Sequence, residues 1–170
     1  MANYGKRMVP EYLIKGLEKA YAKTSGGTGS TINLMENIVD SKGNKRFIEG
    51  EIESSLSSIT LNYGKWSLSG SHLMIVIAGI IAENTSLTHF FSKIAEINLP
   101  DYIFDKIYPT ISSFIVGLTV KGVDQVDSSL VDVTVQLSKE TNLTIRALTN
   151  QTFTNNTAFR IQFDLLIDTE

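Results

Sequence analysis

The chain has 170 residues, 42% of them hydrophobic, a charged fraction of only 19% and a formal net charge of −3. That is enough apolar material for one core of ordinary size, and there is no overall basic field of the kind that binds nucleic acid. Cysteine is absent, so disulfides, thiol catalysis and Cys-based zinc sites are excluded.

Charge is unevenly distributed. Residues 1–24 carry Lys6, Arg7, Lys15, Lys19 and Lys23 against Glu11 and Glu18, whereas residues 121–170 carry four basic and seven acidic groups. A basic N-terminal arm on an acidic body suits docking onto an acidic surface, and it equally suits a solvated helix face. The first 25 residues lack the apolar core of a secretory signal. The longest apolar run, Leu73–Ala82, is too short to span a bilayer as a helix, so no membrane partner is expected.

Residues 10–23 read as the one convincing helix. Pro10 suits the first turn, Leu13, Leu17 and Ala20 share a face flanked by Tyr12 and Gly16, and Lys15, Glu18 and Lys19 lie largely opposite. Thr24–Thr31 reads as a Gly/Ser linker. Its Gly26-Gly27-Thr28-Gly29-Ser30 lacks the ending of a phosphate loop and follows the helix instead of preceding one. Asp40–Asn44 is a strong turn between apolar pairs, which predicts a small hairpin, with Glu49-Gly50 as a second turn.

From Ser54 onward the pattern is that of strands. Ile59, Leu61 and Tyr63 share a face. Trp66 and Leu68 follow, then a Ser69-Gly70 turn. Leu73–Ala82 is apolar on both faces, which predicts a central strand covered on both sides, with Gly79 at a bulge or a close backbone approach. Glu83-Asn84-Thr85 is a turn, and two short strands follow, with Phe90, Phe91, Ile94 and Ile97 as core candidates. The segment between Pro100 and Pro109 predicts one helical turn with Tyr102, Ile103 and Ile107 inward. Ser112–Val120 is another strand. Val131–Leu137 and Leu143–Ala147 alternate across a turn as a hairpin, and Phe159–Ile167 alternates to the end of the last strand. About eight strands at this spacing predict an all-β antiparallel two-sheet sandwich of jelly-roll type behind an N-terminal α-helix and linker. The expected domains are a helical anchor at 1–24, linker and hairpin at 25–53, and the β-sandwich at 54–170.

Reaction chemistry is hard to find. His72 and His89 have no metal-ligand spacing, no Ser is placed with a His and a carboxylate, and no pair of carboxylates stands out for glycoside cleavage. No catalytic residue, metal or cofactor is therefore expected. Tyr63, Trp66, Tyr102 and Tyr108 near turns suit core packing, a subunit contact or a glycan-stacking platform.

Three segments carry a resemblance: Glu36–Gly50 (E-N-I-V-D-S-K-G-N-K-R-F-I-E-G), Gly64–Leu73 (G-K-W-S-L-S-G-S-H-L) and Leu99–Pro109 (L-P-D-Y-I-F-D-K-I-Y-P). Together they resemble small fibre or decoration proteins of tailed-bacteriophage virions, over roughly residues 34–168. The resemblance implies a trimeric jelly roll similar to tumour-necrosis-factor-like trimers, attached to the virion by its N-terminal part. It implies a structural, non-enzymatic homotrimer on the particle surface. Its partners would be the major capsid protein or other virion proteins, and the alternative is a carbohydrate- or receptor-binding module of a tail or baseplate that meets host-surface glycans. Attachment would fall to Tyr12, Leu13, Lys15, Leu17 and Lys19. The trimer contact would fall to Trp66, Met74, Val76 and Tyr102.

Overall fold

A computed structural model describes residues 38–108 and 113–167. The helix expected at 10–23 and the linker after it lie outside the described residues. The chain divides between Asn33 and Leu34, and every described residue lies on the C-terminal side.

The described residues are all-β and antiparallel apart from one short helix. The strands are β1 (Phe47–Glu51), β2 (Glu53–Ser54), β3 (Ile59–Ser69), β4 (His72–Ile81), β5 (Thr85–Leu87), β6 (Lys93–Ile97), β7 (Phe114–Asp124), β8 (Leu130–Lys139), β9 (Leu143–Ala147), β10 (Gln151–Phe153) and β11 (Thr157–Leu166), and the helix is α1 (Asp101–Phe104). Nine strands hydrogen-bond in the order β1-β3-β4-β11-β7-β8-β9-β6-β2, and β5 and β10 pair separately. Only Ile52 separates the two outermost strands in that order. The segment 47–54 pairs first with β3 and then with β6, and at the handover the Ile52 N–H donates to the Gly64 carbonyl at 2.9 Å. One bent strand thereby joins the two ends of the sheet and rolls it into a near-closed barrel, which shortens the exposed edges an open sheet would leave.

Alternation decides what fills the interior. Leu73, Ile75, Ile77 and Ile81 of β4 are fully buried, as are Val133, Val135 and Leu137 of β8 and Leu143, Ile145 and Ala147 of β9. In register across β4 lie Leu68 and Leu165 beside Leu73, Trp66 and Phe163 beside Ile75, and Ile161 beside Ile77. Each such side chain contributes about 1.5–3 kcal/mol on burial. Gly79 is the close approach expected of it: a Cβ there would overlap the Thr60 carbonyl oxygen, and β3 shifts register between Leu61 and Tyr63 at this point.

Two expectations are corrected. Glu49-Gly50 is no turn but the middle of β1, and the sheet starts at Phe47, inside the segment assigned to linker and hairpin. The glycine is needed because the Trp66 ring lies on it, with a Cβ at Gly50 falling 2.6 Å from Trp66 Cε2. Phe90 and Phe91 are not core but 53% and 83% exposed, on the connection between β5 and β6. The Asp40–Asn44 turn forms and closes the small hairpin expected there, through the Val39–Lys45 bridge and the Arg46 N–H donating to the Ile38 carbonyl at 2.9 Å, and from Phe47 onward the chain pairs with β3.

The ends of the barrel differ. At one end α1 seals the core: Ile103 and Ile107 are fully buried. Lys139 of β8 runs under this helical turn, donating to the Ile107 carbonyl at 2.7 Å with its ammonium 4.9 Å from the Phe104 ring centre. At the seam between β7 and β11 the ladder is short, pairing only Thr157 with Asp124 and Ala158 with Val123. Beyond it the two strands splay. Val116, Leu118 and Val120 of β7 are consequently only half-buried, although their β8 partners are sealed.

Candidate functional site

The residues that stand out are on the outside of the barrel, where β3, β4 and β11 lie side by side. The pleat puts Met74, Val76, Ala78 and Ile80 of β4 on this outer face. The ladder sets Ser67, Met74 and Asp164 in one row, Lys65, Val76 and Gln162 in the next, then Tyr63, Ala78 and Arg160. Tyr63, Met74, Val76, Ala78, Arg160 and Gln162 line a shallow open depression of about 370 Å³. Tyr63 is 48% exposed and Met74 38%, whereas Val76 is only 5% exposed despite facing outward. An outward face of a barrel in water is ordinarily polar. This one carries an apolar column along β4 from Met74 to Ile80.

Charged groups flank the column. On the β1 side Lys65 bridges Glu51 at 3.2 Å and Glu49 at 3.7 Å. The hydrogen bond to Glu51, reinforced by both carboxylates, raises the Lys65 pKa. On the β11 side Arg160 stands in the Tyr63 row, and Gln162 donates to Asp164 at 3.0 Å. Such an arrangement offers apolar contact area rimmed by charged groups. It can bind a surface.

Of the residues expected at a subunit contact, Met74 and Val76 lie together on this face. Trp66 does not: at 4% exposed it points into the barrel against Gly50, so its side chain is unavailable to another subunit. Tyr102 is also elsewhere, half-buried at the α1 end, where its hydroxyl donates to the Lys45 carbonyl at 3.2 Å. Burial, with the charge of Asp40 nearby, raises its pKa. Tyr12, Leu13, Lys15, Leu17 and Lys19 lie outside the described residues. His72 and Glu83, the closest approach to a metal pair in the sequence, stand apart, His72 at the start of β4 and Glu83 in the turn beyond its end. Among the described residues no three His, Asp or Glu side chains converge.

Sequence reasoning missed a second exposed feature. Phe90 has a left-handed φ of 63°, a conformation that is uncommon and costly for a bulky residue. It is held there by its own N–H to the Ala147 carbonyl at 3.1 Å and by Arg146 Nη1 donating to its carbonyl at 2.8 Å. Arg146 in turn grips Glu140 with two bonds of 2.6 and 2.7 Å, which holds the Glu140 carboxyl below the usual carboxylate range. His89 stacks on Phe90 at 4.0 Å. The result is a braced loop that presents Phe91 to solvent. Apolar spacing alone reads these phenylalanines as core; no local sequence signal marks the positive φ.

No known protein family matches this chain, and no curated protein matches it in sequence.

Proposed function

We propose that the protein is a non-enzymatic structural component of a tailed-bacteriophage virion: a homotrimeric head fibre or capsid decoration protein, held to the particle by its N-terminal segment. The observation that carries the assembly part is the apolar column Met74–Val76–Ala78–Ile80 on the outer face, beside an exposed Tyr63. The flanks also favour contact between copies. Glu49 and Glu51 outnumber Lys65 on one side, whereas Arg160 shares the other with Asp164 two rows away, so the Arg160 guanidinium of one copy can meet the acidic side of the next. A head-to-tail contact of this kind generates a ring when its rotation closes. The virion assignment is supported by the three motif segments, which take in most of β1, the β3–β4 turn and α1 respectively.

The jelly-roll reading is supported by the nesting of the strand pairs. β7 pairs with β8, β6 with β9 and β4 with β11, which is the order produced by winding a long hairpin around a barrel.

The test is the mass of the full chain in solution by light scattering at micromolar concentration. A trimer is expected, and a clean monomer refutes the assembly. Deleting residues 1–24 should abolish incorporation into particles and leave the β-domain folded; continued incorporation overturns the anchor. The braced Phe90–Phe91 loop favours one second reading, a tail or baseplate module that stacks on host-surface glycans. Glycan-array binding that is lost in Phe91→Ala would establish it.

A further inference from the structure

At the α1 end of the barrel, Asp40, Lys45, Arg46, Tyr102, Lys106 and Ile167 line a half-open cavity of about 20 Å³. That is room for one oxygen-sized group. The Nε of Arg46 is buried and has no hydrogen-bond partner. A buried donor on a cation is costly to leave unpaired, and Lys45 and Lys106 add two more positive charges around it. The single carboxylate does not cancel them. Asp40 is spent within its own turn, accepting from the Lys42 N–H at 2.8 Å, from the Asn44 N–H at 2.9 Å and from Asn44 Nδ2 at 2.9 Å. Nor does Tyr102 fill the space, since its hydroxyl is directed to the Lys45 carbonyl.

We infer that this cavity is an oxyanion subsite: one oxygen of a phosphate or carboxylate enters and accepts from Arg46 Nε–H, while Lys45 and Lys106 hold the rest of the anion at the mouth. Planar guanidinium donors and ammonium groups are the usual recognition elements for such anions. The subsite is separate from the outer face of β3, β4 and β11, and it stands whether or not that face binds other copies.

The experiment follows the arginine Nε–H resonances of the full chain by NMR, with phosphate in one arm and acetate in the other. Ionic strength is kept constant with chloride, and the Arg46 signal is identified by its loss in Arg46→Lys. A saturable shift of that signal is expected. Tighter binding of phosphate assigns the subsite to a free oxyanion, and binding of acetate at least as tight assigns it to a carboxylate. Asp40→Asn keeps the Oδ1 acceptor for the Lys42 and Asn44 backbone N–H groups, gives up the bond from Asn44 Nδ2 and removes the negative charge, and should tighten binding ~3-fold. An Arg46 signal that shifts in neither arm means a water-filled cavity and overturns the assignment. So does an Asp40→Asn variant that is folded and binds no tighter.

Discussion

Replacing Gly79 with alanine tests the packing of β3 against β4, on which both the core and the outer face depend. A Cβ at this position would overlap the Thr60 carbonyl oxygen and come within 3.0 Å of Leu61 Cα. Both obstacles are backbone, so no side-chain rotation relieves them. The strands must part, or the register shift between Leu61 and Tyr63 must move along β3. Overpacking of this kind costs about 1–3 kcal/mol, and a backbone clash belongs at the upper end. Alanine returns about 0.4–1 kcal/mol by restricting the unfolded chain. A net loss of about 2 kcal/mol is expected, which lowers Tm by roughly 6–10 °C in a domain of this size. Calorimetry of the two proteins at equal concentration measures it. A Gly79→Ala variant that melts at or above the parent temperature would show that the close approach is not a constraint, and the argument for Gly79 would fail.

Trp66, the only tryptophan, should emit at blue-shifted wavelengths and resist iodide quenching at every protein concentration; emission that reddens on dilution would put it at a subunit contact. Glu140→Gln should cost about 1 kcal/mol near neutral pH, after allowance for the partial exposure of the pair. Because Arg146 lowers the Glu140 pKa in the folded state, that contribution is complete above the unfolded value of ~4.3 and is lost as pH falls through the folded one. The gap between parent and variant should therefore start to narrow as pH falls below the unfolded value of ~4.3, and a constant gap would refute the pairing. Along β11, amides beyond Ala158 that face away from β4 should exchange with solvent much faster than those bonded to β4, since the β7 ladder stops at Ala158; uniform protection would mean that the seam is closed.

Much of the barrel is legible as alternation. β4, β8, β9 and β11 announce themselves because one face is sealed and period-2 spacing follows directly from that. The turns at Asp40–Asn44 and Ser69-Gly70 carry their own chemistry. What is not legible is set at long range. Gly50 reads as a turn residue locally, yet its role is to accept the Trp66 ring from the neighbouring strand. Trp66 reads as an interface anchor, and only the register with Ile75 shows that it is interior. The closure through Ile52 has no local signature, because changing partners requires neither a turn nor a special residue at that point. Of the candidate interface, the outward apolar residues of β4 are visible in the sequence. Which neighbours surround them is a property of the ladder.

The two faces of β4 make separable demands, and Ala78 distinguishes them. Leu73, Ile75, Ile77 and Ile81 hold the barrel together whether or not another copy is present. Strand propensity accounts for Val76 and Ile80 on the outer face, but alanine is a poor strand residue, and Ala78 sits in the wall of the depression between Tyr63 and Arg160. Substitution by lysine there leaves the interior untouched. In an isolated barrel the long side chain reaches water, so the change should stay within about 0.5 kcal/mol. In an assembly that closes over the depression, the same ammonium is trapped without a partner, beside Arg160, at a cost of about 3–5 kcal/mol. Ala78→Lys should therefore leave the circular dichroism and the unfolding midpoint of the dissociated barrel near the parent values while shifting the mass in solution from trimer to monomer. A trimer that survives this substitution at micromolar concentration places the subunit contact on another face of the barrel.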